Sequence, residues 1–495
     1  MRRTSCSSYA LLFQLVAIAA VLTAAAACVH ADEGDAARIQ SLIAAGSYAE
    51  AEKLLEAQAT DADAKVARDA ATQREILRRT RQDFSVGGDH VLKEIQKSIP
   101  DATVQDLARW REAGVLQHRV IDGEVKYFRS AAGNLIRISD EARRRRTAAP
   151  SVEKDFDLDS HIRELVALSE ATDAVEIYPV RHRVNYALAV NDGHPLVKPG
   201  ATVRAWLPYP QEYRQQRAVK LIKSEPSGGM IASADAPQRT IYFEQKVGAD
   251  AQPPRFNVQF EFVTSAYCPK LDPALVKPYD ASSDLYREFT AERAPHIVFT
   301  PRVIKLAAEI VGEEKNPLEK ARRIFHWVSA NLPWVSEMEY SIIPNLSDKG
   351  LSARCGDCGV QGMSFITLCR AAGLPARWQS GWQTKPGDWN MHDWSEFYVE
   401  PWGWLPADAS YGVRKDDDPR VRDFLCGHMD PYRLIVNLDY GRELQPPKTS
   451  FRSEPVDFQR GEIEIDGKNL YFDEWDWTFE VETEPLKQHD ASTGK

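Results

Sequence analysis

The chain has 495 residues, with 62 Lys and Arg against 72 Asp and Glu, a formal net charge of −10 and 7 cysteines. That length implies about three or four folded units. The acidic balance argues against a protein that coats nucleic acid or an anionic membrane surface, and so few cysteines exclude a disulfide-stapled scaffold.

Arg2 and Arg3 precede an apolar run from Ala10 to Ala27, and Val29-His30-Ala31 offers a small-residue cleavage site before Asp32. Residues 1–31 read as a secretory signal peptide, which predicts a secreted or periplasmic protein. Cys28, after four alanines, supplies a lipoprotein alternative, although Ala25 stands where a Leu is usual. Cleavage removes Arg2 and Arg3 and no acid, so the charge goes from −10 to −12 and five cysteines remain. No later stretch is long and apolar enough to span a bilayer.

Residues 32–85 are rich in Ala, Glu, Lys and Arg, and IQSLIAAGSYAEAEKLLEAQ has the spacing of one tetratricopeptide-like helix pair, so a single helical hairpin is expected. Over 86–150, Asp89 caps a helix that Pro100 follows, and Thr103 starts a second with Leu107 and Trp110 inward. LQHRV, Asp122-Gly123 and VKYFR then form a tight hairpin. This winged-helix-like module, with its Arg143–Arg146 run, reads as a packing or protein-contact piece. An exported acidic chain is a poor DNA binder. Residues 151–175 read as a linker.

From 176 to 270 the period becomes two. Val184, Tyr186, Leu188 and Val190 alternate, as do Phe256, Val258, Phe260 and Phe262, which predicts a β-sandwich. A core over 271–437 begins with helices. Thr300-Pro301 opens one, and Asn316-Pro-Leu-Glu319 opens another that buries Ala321, Ile324, Phe325, Val328 and Leu332. Residues 438–495 close the chain as a β extension, with Asp466-Gly467 as a turn.

The chemistry concentrates between these ends. From Cys358 a helix apolar almost all round runs to Ala372, stopped by Gly373 and Pro375. Its N-terminus places the Cys358 sulfur at the positive end of the dipole, which favours thiolate. His392-Asp-Trp-Ser-Glu-Phe-Tyr-Val and Gly-Trp-Leu-Pro-Ala-Asp408 read as strands joined near residue 400. Folding there sets 398 opposite 402, 396 opposite 404 and His392 opposite Asp408. Cys358, His392 and Asp408 are thus the candidate nucleophile, base and orienter. Glu396 shares the face of His392 without a clear role. Trp334 is a candidate oxyanion or cleft residue. Trp382 and Trp389 flank a polar loop, Gln383–Asp388, and are candidate walls for an extended substrate. Cys355-Gly-Asp-Cys358 also has the form of a redox pair, with Cys355 able to cap the nucleophile. A zinc site drawing on Cys426 and His428 lacks a second pair at convincing spacing. No cofactor or metal is expected.

GDC before a long helix, then RAAGLPARWQSGW, HDWSEFYVE and GWLPADAS, resembles the core of the transglutaminase-like superfamily over about residues 300–412. The resemblance implies an α+β, papain-like fold, with the Cys358 helix against an antiparallel sheet bearing His392 and Asp408. It implies acyl transfer through a Cys thioester on a peptide or protein substrate, with peptidase or amidase action favoured over crosslinking. Exported binding or assembly proteins with an inactive core, partnered through the N-terminal modules, are the alternative, and a CxxC redox protein is a lesser one.

Overall fold

The computed structural model of the chain describes residues 34–147 and 156–487, so the expected signal peptide and Cys28 lie outside the described residues. Among the described residues no helix is long and apolar enough to cross a membrane. The fold is mixed α+β and divides into two compact units, up to Leu135 and from Ile136.

The first unit begins with three helices where the sequence suggested a single pair: α1 (34–45), α2 (Tyr48–Gln58) and α3 (Ala64–Asp83). Asp63 caps α3 and extends the helical region past the hairpin. Then come α4 (Gly88–Gln96), α5 (Val104–Glu112), and strands β1 (His118–Ile121) and β2 (Glu124–Tyr127). Gly87 rather than Asp89 caps α4, whereas Thr103 caps α5 through a reciprocal bond with Asp106. Asp122 and Gly123 both take positive φ, the left-handed pair a two-residue hairpin needs. Helix α6 (Ala131–Ile138) follows.

The second unit carries α7 (Asp140–Arg145) and α8 (Leu158–Glu170). Helix α8 occupies most of the stretch read as a linker. It is helical because Leu158, Ile162, Leu165 and Val166 form an apolar stripe buried in the same cluster as the core helices. The sandwich strands are β3 (Glu176–Val190), β4 (Thr202–Pro208), β5 (Gln216–Glu225), β6 (Met230–Ile231), β7 (Thr240–Lys246) and β8 (Arg255–Tyr267). The core supplies α9 (Asp284–Thr290), α10 (Pro301–Val311), α11 (Pro317–Asn331), α12 (Leu346–Ala353) and α13 (Cys358–Ala371). Its strands are β9 (Ala376–Lys385), β10 (Asp388–Val399), β11 (Gly403–Ala407) and, after α14 (Pro419–Arg422), β12 (Arg433–Asn437). Strands β13 (Glu462–Ile465), β14 (Lys468–Leu470) and β15 (Trp475–Pro485) end the described chain.

The core sheet has the order β11-β10-β9-β12, all antiparallel. The sandwich sheets are β14-β13-β4-β7-β6 and β15-β3-β8-β5. The last three strands complete the sandwich: β13 pairs with β4 and β15 with β3 along its whole length. The alternating residues of β3 and β8 share one apolar core with Ile463, Ile465 and Trp475. Trp382, Leu434 and Val436 of the core sheet enter that same cluster, so sandwich and core are packed together.

Helix α13 lies across β10 and β9. Phe365 meets Phe397 edge-on at 6.2 Å, and the Ser395 hydroxyl donates to the Gly362 carbonyl at 3.1 Å. A Cβ on Gly362 would stand 3.3 Å from Ser395 Oγ, so two small residues permit this close crossing.

Candidate active site

Asp357 caps α13 by accepting the Val360 N–H at 3.1 Å, and Cys358 is the first helical residue, partly exposed. Gly359 follows because Tyr340, in a 3-10 turn (Tyr340–Ile342), presses against the helix start. The Gly359 N–H donates to Tyr340 Oη at 3.1 Å, and a Cβ on Gly359 would lie 2.1 Å from that oxygen. The thiol opens on a cleft of about 210 Å³, lined further by Trp334, Glu339, Met391, Asp457 and Arg460.

The sequence-predicted residues divide between the two faces of β10. Among the described contacts, the Cys358 thiol donates to Asp393 Oδ2 at 3.4 Å and makes none with His392. Asp393, Ser395 and Phe397 face α13. His392 is on the opposite face because successive strand residues alternate. There His392 Nε2 bonds Asp408 Oδ2 at 2.8 Å, and the imidazole meets the Tyr411 ring at 5.0 Å. The structure thus brings His392 and Asp408 together and gives Cys358 a different acid as partner. The β10–β11 register is also displaced. Trp402 N–H donates to Val399 O, Val399 pairs with Gly403, and Tyr398 pairs with Trp404 instead of Trp402. His392 lies within β10 and not at its start, and Asp408 reaches it from just beyond β11.

The electrostatics of the thiol reverse the expectation from the helix dipole. Burial, followed by the charges of Asp393 and Asp357, pushes the Cys358 thiol well above its ordinary value. Burial also raises Asp357 to about 6. Asp393 is raised to about 7 by burial and by the charge of Asp357. The Tyr340 hydroxyl lies between Asp357 Oδ1 at 2.9 Å and Asp393 Oδ2 at 3.1 Å, and Gln459 Nε2–H donates to Asp393 Oδ1 at 2.6 Å. Asp457, pushed well above its ordinary value by burial and by Asp393, keeps its proton and bonds Asp393. The cleft's Arg460 is committed to Glu339 and Glu454, at 2.5 and 2.6 Å.

On the far face, burial lowers His392, and Asp408 only partly offsets this, so the ring is neutral near neutral pH. Burial alone would raise Asp408, but the His392 ring and Arg433, 2.8 Å away, hold its carboxyl well below the usual range. Arg433 also pairs with Asp430 at 2.9 Å.

Of the tryptophans, Trp334 lines the cleft and is 37% exposed. Trp382 cannot wall a cleft, because it is fully buried against the sandwich and donates to the Gln459 carbonyl at 3.0 Å. Trp389 lies outside the cleft lining, with its indole N–H on the Phe479 carbonyl. The stretch between them is a tight turn and no loop: Lys385 pairs with Asp388 across Pro386 and Gly387. Glu396 is a buried structural anion, held by Arg377 and Arg214. Cys355 and Cys358 are both free thiols, and Cys355 is buried with its thiol raised by burial.

Sequence reasoning missed Tyr340, Asp393, Asp457, Gln459 and Arg433. Asp393 stood inside the quoted HDW motif. The remainder come from distant segments and carry no local signature.

Residues 304–409 match the sequence profile of the transglutaminase-like superfamily core. An uncharacterized protein of Haemophilus influenzae is 26% identical over 244 residues, which are 41% of this chain and 63% of the relative. This chain thus spans just under two thirds of that relative's length. Among solved structures, a Cytophaga hutchinsonii protein provisionally named a cysteine protease is 16% identical, covering 63% of this chain and 91% of its own, with a TM-score of 0.41. The periplasmic domain of TgpA from Pseudomonas aeruginosa is 16% identical, covering 56% and 99%, with a TM-score of 0.26.

Proposed function

We propose that this chain, which carries a transglutaminase-like core over residues 304–409, is an exported cysteine enzyme. It acts on amide bonds of a peptide or protein through an acyl-thioester on Cys358. The observation that carries the reading is the position of Cys358. It is the first residue of a buried helix, inside the matched segment, with its sulfur open to a cleft. In the reaction, sulfur bonds to the acyl carbon, the C–N bond breaks, and the amine leaves with a proton. Water then cleaves the thioester, and the acid leaves. The Cys358 N–H, at the helix start, is the candidate donor to the oxyanion. Hydrolysis is favoured over transfer to an amine because bulk water competes strongly for an open thioester. The superfamily resemblance gives His392 the role of base and Asp408 that of its orienter, and their 2.8 Å bond supports this part of the assignment.

A casein peptide digest, incubated with and without a fluorescent primary amine, tests the reading. New amino groups that Cys358→Ala abolishes, with no incorporation of the amine, are expected. Amine incorporation would make the protein a transferase instead.

One observation favours a second reading. Cys358 touches Asp393 and not His392, and its thiol is held protonated. An exported binding or assembly protein with an idle core fits that arrangement, and absence of either product together with an unreactive thiol would put it first.

A further inference from the structure

We propose that the thiol cleft selects a positively charged substrate, with a Lys- or Arg-like side chain within one residue of the amide that Cys358 attacks. The inference deepens the reading of Cys358 as nucleophile and rests on it. Glu337, Glu339, Asp357, Asp393, Glu454 and Asp457 line the cleft, and among the described residues of that lining Arg460 is the sole cation. Arg460 answers Glu339 and Glu454, and Lys349, from outside the lining, pairs with Glu337 Oε1. Asp357, Asp393 and Asp457 make no ion pair among the described residues; Lys349 and Arg460 act on Asp357 and Asp457 only from farther off. A second observation points to a missing positive charge. Glu337 is 8% exposed, and its Oε2 has no hydrogen-bond partner among the described residues. A buried carboxylate oxygen left in that state is costly until a donor arrives.

Size and position narrow the ligand. The cleft's volume of about 210 Å³ lies below the roughly 300–1,000 Å³ of pockets that engulf a whole ligand, so it receives a side chain and leaves the rest of the substrate outside. Asp393 Oδ2 is 3.4 Å from the sulfur, and Asp457 is bonded to Asp393. A charge seated on these acids therefore lies next to the bond under attack. Without such a charge, burial and then the neighbouring Asp393 and Glu454 keep the proton on Asp457. An arriving ammonium or guanidinium reverses that balance: Asp457 gives its proton to water and becomes an ion-pair partner. A neutral side chain gains nothing there, and an anionic one meets like charge.

Labelling of Cys358 by aminoethyl and by sulfonatoethyl methanethiosulfonate reads this preference without turnover. The full chain is used in a Cys355→Ser background, with the rate followed at the Cys358 peptide by mass spectrometry. Comparing the two reagents with each other cancels the reactivity of the thiol itself. Relative to their ratio on free mercaptoethanol, the cationic reagent should be favoured about 10-fold at low salt, and less so in about 0.5 M NaCl. Glu337→Gln and Asp457→Asn should each reduce the preference about threefold. The comparison of reagents needs neither variant, so it stands if they do not fold. Equal rates, a preference for the sulfonate, or a sulfur that neither reagent reaches overturns the proposal. The p-nitroanilides of acetyl-lysine and acetyl-norleucine then serve as paired substrates, and the lysine compound should be cleaved about 10-fold faster at equal low concentration. Hydrolysis blind to that charge overturns the proposal yet leaves Cys358 as nucleophile. A cationic labelling preference without any hydrolysis that Cys358→Ala abolishes keeps the cation site and removes the amidase reading.

Discussion

The two faces of β10 carry the same kinds of residue under similar burial and treat them in opposite ways. Toward α13, Asp393 and Asp357 are raised to about 7 and about 6, and Arg460 of the same cleft is already committed to two glutamates. Away from α13, Asp408 is held low because Arg433 and His392 face it directly. Desolvation acts on both; a matched cation decides the outcome. One face is a closed ion-paired brace. The other keeps unmatched carboxylates beside a thiol, which is the condition under which protons move near neutral pH.

The hardest blow to this contrast is to remove the cation. Arg433→Met leaves Asp408 and Asp430 buried without their partner and should cost about 3–5 kcal/mol in urea unfolding. A loss below about 1 kcal/mol would mean that the brace contributes little. The next test uses pH. Asp393 has a folded value of about 7 against about 4 when unfolded, so the folded state holds the extra proton. Its contribution is fully present below the unfolded value and is lost as pH rises toward the folded one. Asp393→Asn has no such loss, so its stability relative to the parent should improve by about 2–3 kcal/mol between pH 5 and 8. Asp408 has the opposite sign: its contribution is present above the ordinary carboxylate range and fades as pH falls below it. The smallest effect sharpens the cleft side alone. Gly359→Ala forces Tyr340 off the helix start and should cost about 1–2 kcal/mol, with a changed Cys358 alkylation profile. An unchanged profile would separate Tyr340 from the thiol's environment.

Much of the frame was legible because local rules act there. Asn316 and Thr300 cap their helices as read, and the alternating residues of β3 and β8 are buried. The face of β10 was not, because which side receives α13 is set by packing and not by pairing. A signal was present in Ser395 and Gly362, small residues where a helix must cross a strand closely, and it points to the odd-numbered face. The two-residue register displacement came from reading the turn as centred on residue 400, when the pairing of Val399 with Gly403 centres it on Pro401. Asp457 and Gln459 carried no cue, since a loop between the core and β13 shows its purpose only once folded.

That loop has a bearing on when the protein can work. Ser453, Glu454, Asp457, Gln459 and Arg460 wall the thiol cleft, and the strands just after them zip onto β3 and β4. Synthesised from the N-terminus, the chain emits Cys358 and Asp393 well before this wall exists. A nascent or C-terminally clipped molecule would hold its sulfur beside an unbraced acid, and maturity of the cleft is timed by the arrival of the final strands.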